Sequence, residues 1–228
     1  ALEAFGFPPC PGNIMIRNPQ WSQPIDGFTE QLRSWVLMPD EKGAMNIAVF
    51  TDAVTVAGKA ELLDKAKAEV HALMAGESSY LARFAKAIDQ FEDASASVLT
   101  SLMASVGVAS DVIHLKKSGT FPIVHGVRVM ALEQGIAATS TAERLDALAK
   151  KSVLSPALCN DLKSALAYFM EVRLRSQLRA IRTGRPEEEA IVHLQELSSR
   201  DRDLLREALK VVKRFKDVVR SRYHLAQL

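Results

Sequence analysis

The chain has 228 residues, 48% of them hydrophobic and 25% charged, with a formal net charge of +2. That is ordinary globular material, long enough for one large domain or for a helical domain with a smaller part attached, and a balance so near neutral argues against a dedicated nucleic-acid binder while leaving room for a local patch. The two cysteines, Cys10 and Cys159, lie far apart without ligand spacing, which excludes a disulfide framework and fits a reducing cytoplasm; no apolar run reaches the ~18–20 residues of a membrane span, and no secretory signal opens the chain.

Six of the nine prolines fall in the first 39 residues, so this part reads as irregular connection plus one helix. That helix is expected from about Asp26, a good N-cap, to Pro39, with Phe28, Leu32 and Trp35 turned inward. Asn46 to Ala57 is rich in Val, Ala and Thr and reads as a strand, the one convincing strand in the chain. From Lys59 the pattern turns helical. Lys59–Ala75 is an amphipathic helix closed by Gly76, and Ser78 or Ser79 can cap the next, in which Leu81, Phe84, Ile88, Phe91, Ser95, Val98 and Leu102 recur at steps of three and four as a bundle seam.

The segment Leu115–Ile136, LKKSGTFPIVHGVRVMALEQGI, carries the densest chemistry. Gly119 can take backbone angles closed to other residues, and Pro122 is pre-set for a first helical turn, so a sharp bend should lead into a helix from about Phe121 to Gln134 that ends near Gly135. Ile123, Val127, Met130 and Ala131 would share one face. Lys116 and Lys117 would then sit at its amino end, where free N–H groups already favour anions; a phosphate or carboxylate is the natural guest.

Three more helices follow, from Thr141, as cap, to Lys151, from Pro156 to Arg182 with a stop at Gly184, and from Ser199 to about Tyr223. In the last, Leu204, Ala208, Val211, Phe215 and Val218 form the expected inward stripe. The fold class is mainly α, an antiparallel helical bundle with a small N-terminal α/β remnant. Residues 200–228 hold nine Lys or Arg against four Asp or Glu, and Arg173, Arg175, Arg179 and Arg182 crowd the end of the preceding helix. Such cations steer acidic partners, or simply complement a helix dipole and keep a bundle soluble. The histidines, His71, His114, His125, His193 and His224, show no metal-ligand spacing.

The Leu115–Ile136 segment, with TSTAERLDAL from Thr139 to Leu148, resembles the carboxy-terminal, substrate-binding domain of bacterial nucleotidyltransferases related to the PII-protein uridylyltransferase. CPGNIMIRNPQW, from Cys10 to Trp21, and AVFTDAVTVAG, from Ala48 to Gly58, resemble the closing part of the preceding nucleotidyltransferase domain. On this resemblance residues 1–75 end a nucleotidyltransferase-like domain and residues 76–228 form a helical substrate-binding domain. It implies transfer of a nucleotidyl group from a nucleoside triphosphate, with Mg²⁺, to an acceptor such as a protein of PII type. It also implies a bacterial signalling setting, with CBS or cyclic-nucleotide-binding regulatory domains upstream.

The superfamily's Gly-Ser turn and paired aspartates do not occur in the sequence; they would lie before Ala1, and with no initial methionine the chain reads as a piece of a longer protein. Asp52 matches the third metal carboxylate, but Val54 and Lys59 stand where the family usually has an arginine and an acidic residue. Since magnesium is held by one or two carboxylates plus phosphates and water, the isolated chain is expected to be inactive. The candidate residues are Asp52 for metal and catalysis, and Lys116, Lys117, Gly119 and Arg128 for nucleotide or acceptor. The competing readings are a non-enzymatic docking module descended from a degenerate transferase, and a helical domain that binds RNA or DNA through its basic faces.

Overall fold

The computed structural model describes residues 2–38, 41–74, 78–89, 112–184 and 192–225. Contacts divide the chain into two units, Ala1–Gly76 and Glu77–Leu228. Among the described residues eight α-helices stand against one pair of two-residue strands, so the fold is mainly α.

In the first unit a proline-rich lead ends in a 3-10 turn, Pro19–Trp21, whose start is capped by Asn18: its side-chain oxygen accepts from the Gln20 N–H at 3.0 Å. Helix α1 is Ile25–Leu37, α2 is Glu41–Phe50 and α3 is Ala60–Met74. Leu32, Trp35 and Val36 of α1 are buried, as are Ile47, Phe50, Ala66, Val70 and Met74 from the other two helices. Trp21 joins this core through Trp35, at 5.4 Å between ring centroids, and Phe28 through Phe50, at 5.6 Å. The expected N-cap shifts, since Pro24 occupies that position without a side-chain bond and Asp26 lies in the first turn, where its carboxylate complements the helix dipole.

The strand expected over Asn46–Ala57 is not there. Gly43, Asn46, Ile47 and Phe50 are buried together on α2, a spacing of three, four and seven that only a helix brings onto one side. The β-branched residues that suggested a strand end up divided between the outer face of α2 and an irregular stretch, in which Val54 and Val56 are exposed. The amino-terminal part is therefore helical and irregular, and its described residues contain no strand.

In the second unit α4, Ser78–Ala85, passes into a 3-10 turn at Lys86–Asp89. Leu81, Phe84 and Ile88 of the expected seam are buried; Phe91, Ser95, Val98 and Leu102 lie outside the described residues. Strand β1, Val112–Ile113, pairs antiparallel with β2, Val192–His193, with Val112 opposite His193. Between them run α5, Phe121–Glu133, α6, Thr141–Lys150, and α7, Pro156–Thr183; after β2 comes α8, Ser199–Arg222. Ser140, one residue before the expected Thr141, is the cap position of α6. Gly184 ends α7 in the left-handed region at φ 70°, a conformation glycine adopts without steric cost.

Helices α7 and α8 run antiparallel: Arg214 pairs with Asp161 at 2.5 Å, the Tyr168 hydroxyl donates to the Asp201 carbonyl at 2.6 Å, and Arg179 pairs with Glu196 at 2.5 Å. The inward stripe of α8 is Leu205, Ala208, Val212, Phe215 and Val219, with Leu209 and Lys216 also buried. Ala208 and Phe215 are buried as expected, while Leu205, Val212 and Val219 take the places of Leu204, Val211 and Val218, and Leu204 is 45% exposed. Leu204–Leu205, Val211–Val212 and Val218–Val219 are doubled apolar pairs, so the sequence offers two overlapping stripes whose centres differ by about 60°, and packing chooses one.

Ser198 caps α8, its Oγ accepting from the Asp201 N–H at 3.1 Å and donating to the Asp201 carboxylate at 2.7 Å. Ser198→Ala is expected to cost about 1 kcal/mol, read as a small fall in thermal midpoint without change of helix content.

Candidate functional site

Helix α5 is buried on every side rather than on one. Pro122, Ile123, Gly126, Val127, Val129, Met130, Ala131 and Leu132 are out of water, and so are His125 and Arg128. A helix with this pattern forms the centre of a bundle, and the turn that leads into it is fixed by what surrounds it.

That turn is a π-helical one, Lys116–Thr120, continuous with α5. The Lys117 and Ser118 N–H groups both donate to the His114 carbonyl, at 2.9 and 3.0 Å, and the Phe121 N–H donates to Lys116. The wide turn has a local cause: Pro122 has no N–H to give and its ring crowds the carbonyl four residues back, so the helix ahead of it must open. This corrects the expected sharp bend and free helix start, because Leu115, Thr120 and Phe121 all have ordinary helical angles.

Gly119 also differs from expectation. Among the described residues the left-handed glycines are Gly6, Gly58, Gly135 and Gly184, and Gly119 is not one of them. Its role is closeness: a Cβ there would stand 2.7 Å from the ring of Phe169 on α7. Leu115, Ser118 and Gly119 face inward while Lys116 and Lys117 are exposed, so the two ammonium groups project from a segment locked against α7.

Arg128 does not converge with them. It follows Lys117 by eleven residues, about 16 Å along a helix axis, and is only 8% exposed. Its charge acts on His125, whose Nε2–H donates to the Phe84 carbonyl at 2.7 Å. The His125 ring stacks on Phe121 at 5.3 Å and meets Phe84 edge-on at 4.6 Å. Burial, with a smaller contribution from Arg128, pulls the imidazole pKa down to about 4 against the Phe84 bond, which acts the other way. His125 is thus a neutral clamp between α4 and α5.

Asp52 belongs to the first unit. It lies half-buried in the turn after α2, its N–H donating to the Val49 carbonyl at 3.2 Å. Nearby in sequence, Trp21, Gln23, Phe28, Phe50, Leu62 and Ala66 line an open groove of ≈ 270 Å³, but Asp52 is not among its walls. Among the described residues no group of three His, Cys, Asp or Glu is placed to hold a metal ion. Asp52 alone cannot hold the magnesium that the resemblance implies, since that ion is bound through one or two carboxylates together with phosphates and water.

The basic face of α8 is largely spent on the fold. Arg206 pairs with Asp203, Lys210 with Glu207, and Arg214 with Asp161. Asp89 receives Arg220 at 2.7 Å and Lys216 at 3.4 Å, and Glu133 takes the Arg222 fork at 2.7 and 3.0 Å together with the Tyr223 hydroxyl at 2.7 Å. Sequence reasoning missed these clamps: Lys216 is buried only in the register that the doubled apolar pairs concealed. No described helix is long and apolar enough to cross a membrane.

No curated protein and no solved structure matches the chain. Two family models do: residues 1–42 match "Putative nucleotidyltransferase DUF294" and residues 78–223 match "Putative nucleotidyltransferase substrate binding domain". The second covers the lysine turn, its buried helix and the bundle around them, more than half of the sequence, so the chain belongs to this nucleotidyltransferase substrate-binding-domain family.

Proposed function

We propose that the chain is the recognition part of a PII-uridylyltransferase-like nucleotidyltransferase, and that Lys116 and Lys117 take a phosphate of the nucleoside triphosphate or an acidic group of its acceptor. The observation that carries this reading is the pair of adjacent, exposed ammonium groups on a turn immobilised by Gly119 against Phe169. A preorganised cation pair loses little side-chain and loop freedom on binding. Gly119 is then a positioning residue, and Arg128 supports the helix behind the turn rather than touching the ligand. The reaction proposed for the whole protein is nucleotidyl transfer with Mg²⁺ to an acceptor such as a PII-type protein, in a bacterial cytoplasm and under upstream regulatory domains. Asp52 is the one residue of this chain proposed for the metal, and it cannot hold the ion alone.

Titration calorimetry of the 228-residue chain with UTP and ATP tests the lysines. Charge-assisted contacts are worth about 1.5–3 kcal/mol each, so the Lys116→Ala/Lys117→Ala double variant is expected to bind at least tenfold more weakly. Unchanged affinity for both nucleotides, and for a purified acceptor, would overturn the assignment. The nucleic-acid reading has less support, because six of α8's nine arginines and lysines are engaged by Asp89, Glu133, Asp161, Asp203 and Glu207.

A further inference from the structure

Helix α7 is apolar on two sides. Leu162, Phe169, Val172 and Ala180 are buried in the bundle. On the far side Met170, Leu174, Leu178 and Ile181 follow at steps of four, four and three, and are 58%, 56%, 45% and 62% exposed. At about 100° per residue these four lie within roughly 80° of one another and about 140° from the buried row, forming a stripe about 16 Å long. A bundle helix needs one apolar stripe to fold. A second, contiguous and turned to water, marks an interaction surface.

The borders of the stripe decide what fits it. From Met170 to Thr183 the helix carries Arg173, Arg175, Arg179 and Arg182 against one carboxylate, Glu171. Arg173 lies along one edge, Arg175 and Arg182 along the other. Two copies of the chain set face to face would bring these rows of like charge together, which costs stability along a helix seam. Arg175 is held by Glu171 and Asp201 and Arg179 by Glu196, so the charge offered to a partner is that of Arg173 on one edge and Arg182 on the other. A narrow ridge with cations on both margins is complementary to another helix that has apolar residues at three-and-four spacing and acidic neighbours.

We infer that the carboxy-terminal half of α7 docks an acidic amphipathic helix of another polypeptide. The surface is independent of the lysine turn, and its failure would leave the nucleotide reading untouched.

The test uses the 228-residue chain and labelled synthetic helices about three heptads long, with Leu along the seam and Glu beside it, against versions with Lys in place of Glu or with the sequence scrambled. In fluorescence anisotropy the Glu-flanked helix is expected to bind saturably and at least tenfold more tightly than the Lys-flanked one. Leu174→Asp/Leu178→Asp, at positions that face water, should lower that affinity at least tenfold with an unchanged circular-dichroism spectrum. Arg173→Glu/Arg182→Glu should invert the preference between the two helices. Equal binding of both helices would overturn the inference, as would indifference to the Leu174/Leu178 variant. So would a dimer in sedimentation that this variant dissolves, or preference for anionic lipid vesicles over the Glu-flanked helix.

Discussion

Gly126→Ala is expected to destabilise the second unit by about 2–3 kcal/mol, although the same exchange in an unobstructed helix stabilises by about 0.5–1 kcal/mol. The sign is decided by Phe215. A Cβ on Gly126 would stand 2.7 and 3.0 Å from two atoms of that ring and 3.2 Å from Val219. Phe215 is itself fully buried in α8, so the ring has nowhere to go without parting α5 from α8. Urea unfolding should show a lower midpoint with an unchanged slope. Because the clash is with one ring, adding Phe215→Leu to Gly126→Ala should recover part of the loss, whereas Phe215→Leu alone destabilises. If Gly126→Ala proves neutral, α5 is not held at this distance. Gly119, seven residues earlier, repeats the arrangement with three atoms of Phe169 within 2.9 Å, and there the same overpacking would also shift Lys116 and Lys117.

These two glycines show where sequence reasoning stops. Glycine serves either because its backbone angles are open or because it has no side chain, and the letter is the same for both. Gly184 could be read because a stop after a long helical pattern demands the left-handed region. Gly119 could not, since Phe169 is fifty residues away in sequence. The helices α3, α5, α6, α7 and α8 were legible for the opposite reason: their apolar spacing, serine caps and terminal prolines or glycines are local. Helix α2 was hidden because β-branched residues outvote a four-residue helical stripe until Phe28 of α1 supplies something for Phe50 to pack on. The lysine pair could be found in the sequence as chemistry, while the burial of Arg128 could not, because nothing in VHGVRVMAL says that all sides of the helix face protein.

Acidification should remove His125's contribution to stability between pH 6.5 and about 4, the interval between its unfolded and folded pKa values. Burial holds the folded imidazole neutral, so in this window the unfolded chain binds the extra proton and stability falls as pH falls. The contribution is fully present above 6.5 and is lost on the way down through 4, to a total of about 3 kcal/mol. Protonation would set an imidazolium in an apolar pocket between Phe84 and Phe121 with the Arg128 charge near it. A carbonyl can only accept, so Nε2 carries the proton toward Phe84 in the neutral ring, and His125→Gln keeps a donor while removing the titration. Urea unfolding of both proteins at pH 7 and pH 4.5 isolates this histidine from half-buried His71 and from every other group the two proteins share. The wild type should lose about 2–3 kcal/mol more than the variant over that interval. Parallel losses would show that the proton is taken up without opening the contact between α4 and α5, and that His125 is not the clamp its geometry describes.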